Sequence, residues 1–359
     1  MIALLGKRDS PTDGIDDYCN FLGQALASRR VSLAIVRVSW NEEGWAGALR
    51  RLWRASAGWR GNWVLLQYTA LSWSSRGFPW GVLAVAAILR SRGARCACVF
   101  HECAGYGGET WRERARRWCQ MWVLRALYRK SVRSIFTVPL DTVGWLPERK
   151  DRAVFIPIGA NIPCRLEADG RTETRSLTDD KRVIVFGVTE APASAGEVAD
   201  IASVAREASS TIPNLRLIVV GRGSNEVRED LAKLLEGCSV GLDVRGVLPA
   251  DEIAREFGRA DALLFVRKVI TLQRGSAIAG IACGLPVVGY GSEVRSGPLA
   301  EAGIEWSSPH DRHALAQGLV RVLTDSHRWM ELHERNVRAH EKYFSWSRIS
   351  QLYIAVLAE

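Results

Sequence analysis

Arg267, Lys268, Gln273, Arg274, Gly275 and Ser276 crowd between an apolar strand-like run, Ala262 to Phe265, and an apolar helix-like run that follows. Such a group suits a diphosphate. The first amides of a helix lack intrahelical acceptors, a glycine lets a ligand reach the backbone, and a guanidinium fork holds two oxygens. Arg274 is the first choice for the phosphate contact. A second group, His101 and Glu102, follows the strand-like run Arg95 to Phe100 and offers an imidazole and a carboxylate for acid/base or hydrogen-bonding work. Asp13 and Gly14 lie after the first apolar run, where backbone amides could meet the same kind of anion, while Asp16 and Asp17 read as helix-start residues.

Cys96, Cys98, His101, Glu102 and Cys103 invite a metal reading, which the strand period opposes. Alternation puts Cys96 and Cys98 on one face and His101 on the other, so the ligands do not converge on a tetrahedron. No metal site is expected.

A third group lies on Thr110 to Lys130. Trp111, Trp118 and Trp122 fall within roughly 40° of one another at helical spacing, with Arg112, Arg114, Arg116, Arg117, Arg125, Arg129 and Lys130 around them. Such a face suits an anionic lipid interface, and Trp111, Trp118, Trp122 and Arg125 are its candidate contacts. The competing reading packs the tryptophans into the core.

These groups need a scaffold that collects strand ends. Short β-rich runs alternate with helices: Ile2 to Leu5, Val31 to Val38, Trp63 to Tyr68, Arg95 to Phe100, Ser134 to Pro139 and Ala153 to Ile158 read as strands. The rhythm restarts with Arg182 to Val188, Leu215 to Gly221, Leu242 to Val247, Ala262 to Phe265, Pro286 to Tyr290 and Ile304 to Ser307. Helices close the chain near His313 to Leu323, His327 to Tyr343 and Trp346 to Ala358. The pattern is α/β, two doubly wound parallel sheets, and ligands of such sheets bind outside the carboxyl ends of the strands. The expected division is 1–163, a polar linker over 164–181, a second domain over 182–343, and a terminal helix over 344–359 returning to the first.

With 359 residues the chain has room for two cores, and an ordinary composition excludes a disordered or stapled module. Charge is uneven. Residues 1–163 carry 24 Lys+Arg against 12 Asp+Glu, a balance of +12, which leaves −3 for the rest, and they hold 11 of the 14 tryptophans. An anionic partner for the first half follows. A membrane surface fits better than nucleic acid, because no helix-turn-helix, zinc-finger or RNA-recognition signature accompanies the charge. No signal segment or membrane span is legible, and eight scattered cysteines suit a reducing compartment, so a cytoplasmic protein is expected, one able to sit at the inner face of the membrane.

The block Gly275-Ser-Ala-Ile-Ala-Gly-Ile-Ala-Cys-Gly-Leu-Pro-Val-Val288 resembles the most recognisable segment of family 4 glycosyltransferases of the GT-B fold. Val219-Val-Gly-Arg-Gly223, Arg245-Gly-Val-Leu-Pro249, Pro11-Thr-Asp-Gly-Ile-Asp-Asp-Tyr18, Pro157-Ile-Gly-Ala-Asn161 and Phe344-Ser-Trp-Ser-Arg348 are similar to other family segments, in the family's order. The resemblance implies two facing Rossmann-like domains, a nucleotide-sugar donor held mainly by the second, and a glycan or lipid-linked acceptor on the first. It also implies retention of configuration, no required cofactor or metal, and a role in cell-surface polysaccharide or glycoconjugate synthesis. It puts His101 beside the transferred sugar, with Glu102 able to bond the acceptor or hold the histidine.

Two departures stand out. The family's glutamate pair falls at Thr271 and Ala279, and its Arg and Lys after the first strand of the second domain are absent from Gly187-Val-Thr-Glu-Ala-Pro192. Two other readings therefore stand beside the transferase: a GT-B nucleotide-sugar epimerase, and an inactive homologue serving as a binding subunit.

Overall fold

The computed structural model describes residues 1–9, 13–163, 180–189 and 193–358. Its first body combines Met1–Ile158 with Trp346–Glu359, and its second is Gly159–Ser345. Six strands build the first sheet: β1 (Ile2–Leu5), β2 (Ala34–Arg37), β3 (Trp63–Tyr68), β4 (Arg95–Phe100), β5 (Arg133–Phe136) and β6 (Ala153–Phe155). All pairs are parallel, in the order β2-β1-β3-β4-β5-β6, so the order reverses between β1 and β3. Crossovers run through α1 (Gly14–Ala27), α2 (Trp40–Ala55), α3 (Gly81–Ser91) and α4 (Trp111–Lys130).

The second body repeats the plan. Its strands are β7 (Lys181–Phe186), β8 (Leu215–Val220), β9 (Gly241–Gly246), β10 (Ala262–Phe265), β11 (Val287–Tyr290) and β12 (Ile304–Ser307). Their order is β12-β11-β10-β7-β8-β9, again parallel, with the reversal between β10 and β7. The helices are α5 (Ala195–Ser209), α6 (Arg228–Leu234), α7 (Ala250–Arg259), α8 (Gly275–Ala282), α9 (Pro298–Glu301), α10 (Arg312–Thr324) and α11 (Ser326–Ala339), and α12 (Trp346–Ala358) belongs to the first body. Helices on both faces of a sheet bury its central strands at every position, as in β1, β3 and β10, which are apolar apart from Gln67 in β3.

Local chemistry moves several expected boundaries. β2 starts three residues later than Val31, because Val31 N–H still donates to Leu26 O and Arg30 takes φ 62° in the turn that ends α1. The helix expected over His327 to Tyr343 stops being α-helical at Ala339, the end of α11, and continues as a π turn over His340–Phe344. The linker expected at 164–181 lies outside the described residues except for its last two, and Lys181 already opens β7. Among the described residues six cysteines are free thiols, whereas Cys283 at the end of α8 is disulfide-bonded, a departure from the expectation of reduced packing cysteines. Among the described residues no helix is long and apolar enough to cross a membrane.

The terminal helix is locked into the first core. Ile349 and Tyr353 are fully buried among Leu22, Leu65, Val99 and Ile135, and Trp63 Nε1 donates to Leu357 O at 2.8 Å. The Tyr353 and Tyr18 hydroxyls share a hydrogen bond of 2.8 Å, and burial raises both phenol pKa values. Tyr353→Phe keeps the packing but strands the Tyr18 hydroxyl, so it should cost about 1–3 kcal/mol of unfolding free energy. Urea denaturation checks this, and an unchanged midpoint would show that the hydroxyl pair contributes nothing.

Candidate functional site

The strand order of the second sheet reverses between β7 and β10, and in doubly wound sheets ligands bind at the carboxyl ends of the strands at such a reversal. Gly187 follows β7 with φ +76°, and a Cβ there would lie 3.4 Å from Arg267 Nη1, so the guanidinium from the loop after β10 reaches across the switch point. The Gly221-Arg-Gly223 turn after β8 packs on the same loop: Val188 N–H donates to Arg222 O at 2.9 Å. A Cβ at Gly223 would sit 2.3 Å from Val188 O, which explains the second glycine.

Arg274 occupies the cap position of α8, and no side chain caps that helix. Burial, then the Arg267 charge, pushes the Arg274 pKa down, while Glu197 opposes both. Two guanidiniums thus sit close enough to repel each other. Arg267 Nε is buried with no hydrogen-bond partner among the described residues. Glu197 is itself committed, since its carboxylate accepts from the Thr189 N–H at 2.8 Å and from the Thr189 hydroxyl. At Gly275 a Cβ would meet nothing within 4 Å, so the helix start is open.

Of the other residues expected here, Lys268 is exposed in a left-handed turn at φ 61°, Gln273 is exposed and Ser276 is half-buried. The glutamate-pair positions differ from each other: Thr271 is exposed, whereas Ala279 is 1% exposed inside α8, where a carboxylate has no room. Glu190 to Pro192 lie outside the described residues.

In the first body His101 follows β4 and its Nε2 lies 2.8 Å from Gln67 Oε1. The Gln67 amide nitrogen donates to Leu65 O at 3.3 Å, so its oxygen faces the ring, Nε2 carries the proton, and Nδ1 is the accepting nitrogen. The Tyr18 ring stands edge-on to the imidazole, with centroids 5.0 Å apart. Burial lowers the His101 pKa to about 4, against the pull of Asp13, so the ring is neutral at pH 7.

Glu102 has a different position from the one expected of an acceptor ligand. Its Oε2 accepts from Ala70 N–H at 2.7 Å and its Oε1 from the Tyr106 hydroxyl at 2.5 Å, which braces the loops after β3 and β4. Asp13 likewise turns inward. It caps α1 by accepting from the Ile15 and Asp16 amides at 3.0 and 3.2 Å, and its backbone oxygen takes the Asp17 amide. Asp16 pairs with Arg37 at 2.7 Å. Burial, followed by the Asp13 and Asp16 charges, raises the Asp17 pKa. The start of α1 beside Gly14 is therefore self-capped and acidic, unlike the start of α8, and it opposes the expected diphosphate contact at Asp13.

The tryptophans of α4 are not core residues. Trp111, Trp118 and Trp122 are 68%, 64% and 44% exposed, because Cys119, Val123, Leu124 and Leu127 form the buried face. Trp80 joins them from the segment before α3, its ring 5.1 Å from Trp122 and 6.4 Å from Trp118. Arg125 is exposed on the same stripe. Cys96 and Cys98 pack in the core on the opposite side of β4 from the Tyr18 side that His101 meets, and among the described residues no group of ligands could hold a metal ion.

Sequence reasoning missed Gln67, Glu197 and Trp80. Gln67 was detectable as the one amide inside an otherwise apolar and aromatic strand, whereas Glu197 and Trp80 reach their sites only through packing.

No protein-family model matches the chain, and no curated protein matches it by sequence. Solved structures do. HepE of Anabaena, in complex with UDP and glucose, superposes with a TM-score of 0.66 at 12% identity over 99% of both chains. WaaG, a glycosyltransferase involved in lipopolysaccharide biosynthesis, gives 0.63 at 12% identity over 100% of both. A Listeria monocytogenes protein assigned as a UDP-N-acetylglucosamine 2-epimerase gives 0.62 at 13% identity, covering 99% of this chain and 95% of its own. At these identities the likeness establishes the architecture: the chain has the two-domain, Rossmann-like GT-B fold.

Proposed function

We propose that the protein is a glycosyltransferase that moves a sugar from a nucleotide-sugar donor to a glycan or lipid-linked acceptor. The observation that carries this reading is the pair Arg267 and Arg274, two mutually repelling cations at the switch point of the second sheet, one with a buried nitrogen that has no acceptor among the described residues. A diphosphate relieves that repulsion and offers Nε an acceptor oxygen. HepE, which binds UDP, and WaaG have the same fold and support the donor class.

In the transfer, the bond from the anomeric carbon to the diphosphate oxygen breaks and a bond to the acceptor oxygen forms. The acceptor proton ends on the departing phosphate or on a base. Charge grows on the leaving diphosphate, and Arg267, Arg274 and the open amides at Gly275 and Ser276 oppose it. Arg267 takes the part of the family's missing cations after β7, since it reaches Gly187 from the neighbouring strand. His101 serves as a neutral hydrogen-bonding group to the sugar or acceptor, oriented by Gln67, and Glu102 positions the loop around it. We read the enzyme as family 4-like, retaining, hexosyl-transferring and independent of a metal ion. The aromatic and basic face of α4 would hold it peripherally at an anionic cytoplasmic membrane, where lipid-linked acceptors for cell-surface glycans lie.

The epimerase reading keeps one support, the similarity to the Listeria structure. Incubation with donor alone separates the two: a transferase leaves the sugar unchanged, and an epimer product would overturn our reading.

Panels of UDP-, GDP- and ADP-sugars in thermal shift should reveal one stabilising donor, and Arg274→Ala should weaken its binding at least about tenfold, the worth of one charge-assisted contact. Equal stabilisation of variant and wild type would remove Arg274 from the site. For His101 the folded pKa of about 4 lies below the ordinary 6.5. The unfolded chain therefore takes up the extra proton first, and this residue's contribution to stability is complete above pH 6.5 and lost as pH falls toward 4. His101→Gln should flatten that part of the stability profile and lower turnover. A turnover inflection near pH 6.5 that vanishes in the variant would contradict the neutral ring. Sedimentation with anionic liposomes should be lost when Trp118, Trp122 and Arg125 are all replaced by alanine, with circular dichroism confirming the fold; retained binding would discard the membrane face.

A further inference from the structure

At the amino-terminal edge of the first sheet, opposite His101, a cavity of about 300 Å³ opens between the ends of α3 and α4. Arg90, Arg129, Lys130 and Arg152 line it, with Cys96 and Ser131 among its other walls, and its lining contains no carboxylate. Basic residues at helix ends have an ordinary explanation, because the carboxyl terminus of a helix carries roughly half a negative charge. Here the magnitudes exceed that need. Two helix ends supply roughly one unit of negative charge, against four cations.

Only one of the four is visibly spent on the backbone. Arg152 Nη1 donates to Arg129 O at 3.1 Å and Ser131 O at 3.2 Å, closing α4 and fixing the wall. Among the described residues no carboxylate pairs with Arg90, Arg129 or Lys130, although arginines elsewhere in the chain find one, as Arg37, Arg51 and Arg149 do. Arg90 and Arg129 come from different helices, and their convergence on a concave site wide enough for a phosphate group is a property of the α3 and α4 packing. The site also continues the exposed stripe of α4, since Trp118, Trp122, Arg125 and Arg129 share one side at helical spacing.

We infer that this cavity is a second anion site, separate from the Arg267 and Arg274 pair, that takes a phosphate monoester or a diphosphate. Its two sources are a free phosphate compound and the headgroup of a lipid whose chains lie along the tryptophan stripe. The inference stands whether or not the protein transfers a sugar, because it uses none of the donor-site residues.

Inorganic pyrophosphate titrated calorimetrically into the full chain should report two sites. Arg90→Gln/Lys130→Gln, both exposed positions, should remove one of them, and Arg267→Gln/Arg274→Gln the other. The expected loss at each is at least about tenfold in affinity. Vesicles of phosphatidic acid and of phosphatidylglycerol, matched in charge, form the second arm. Preferential binding to the monoester lipid, abolished by Arg90→Gln/Lys130→Gln, supports a lipid headgroup, and pyrophosphate binding without that preference supports a free phosphate. Lys130→Gln alone serves if the double variant unfolds. If pyrophosphate binding and the lipid preference are unchanged in the folded variants, or if neither ligand binds, the site does not exist.

Discussion

Parallel pairing is the constraint on which the rest depends. Two parallel strands need a crossover between them, and crossovers of one hand must place helices on both faces, so the chain has to start in the middle of each sheet and reverse direction once. The reversal falls between β1 and β3 in one body and between β7 and β10 in the other. At each of these points two loops diverge and leave backbone uncovered. The second is where Gly187, Arg267 and the start of α8 meet, residues separated by some 80 positions in the chain.

The two bodies use that shared geometry differently. At the start of α1 an aspartate takes the helix amides and more acids follow, with Arg37 as their counter-charge. At the start of α8 no side chain takes them, and arginines face an open glycine. The same fold element is thus capped by an aspartate in one body and flanked by arginines in the other. The overall −3 balance of the later residues conceals this, because their acids lie in pairs elsewhere, such as Glu305 with Arg321 and Arg328.

The first body carries its exposed tryptophan group on α4 and the segment before α3. The sheet and α12 bury the apolar face of the domain, down to the Tyr18 and Tyr353 hydroxyls, and α4 turns its tryptophans outward because smaller residues already fill its inner face. Trp80 enlarges this exposed aromatic group, on which the proposed membrane contact rests.

The sequence by itself determined the fold class, the order of all twelve strands along the chain and the return of the βα rhythm, since apolar runs of strand length bounded by glycine and polar turns are local signals. It also located the cluster from Arg267 to Ser276, because those residues are neighbours in the chain. Tertiary structure decided what each candidate touches. Asp13 and Glu102 have the residue types of ligands, yet hydrogen bonds to nearby amides and to Tyr106 commit them to holding loops. Gln67 sets the proton on His101 across 34 residues, and Trp80 completes a surface that α4 only begins. Periodicity reports which face a residue occupies, whereas the partner on that face is fixed by packing between elements distant in sequence, and chemistry at a site depends on the partner.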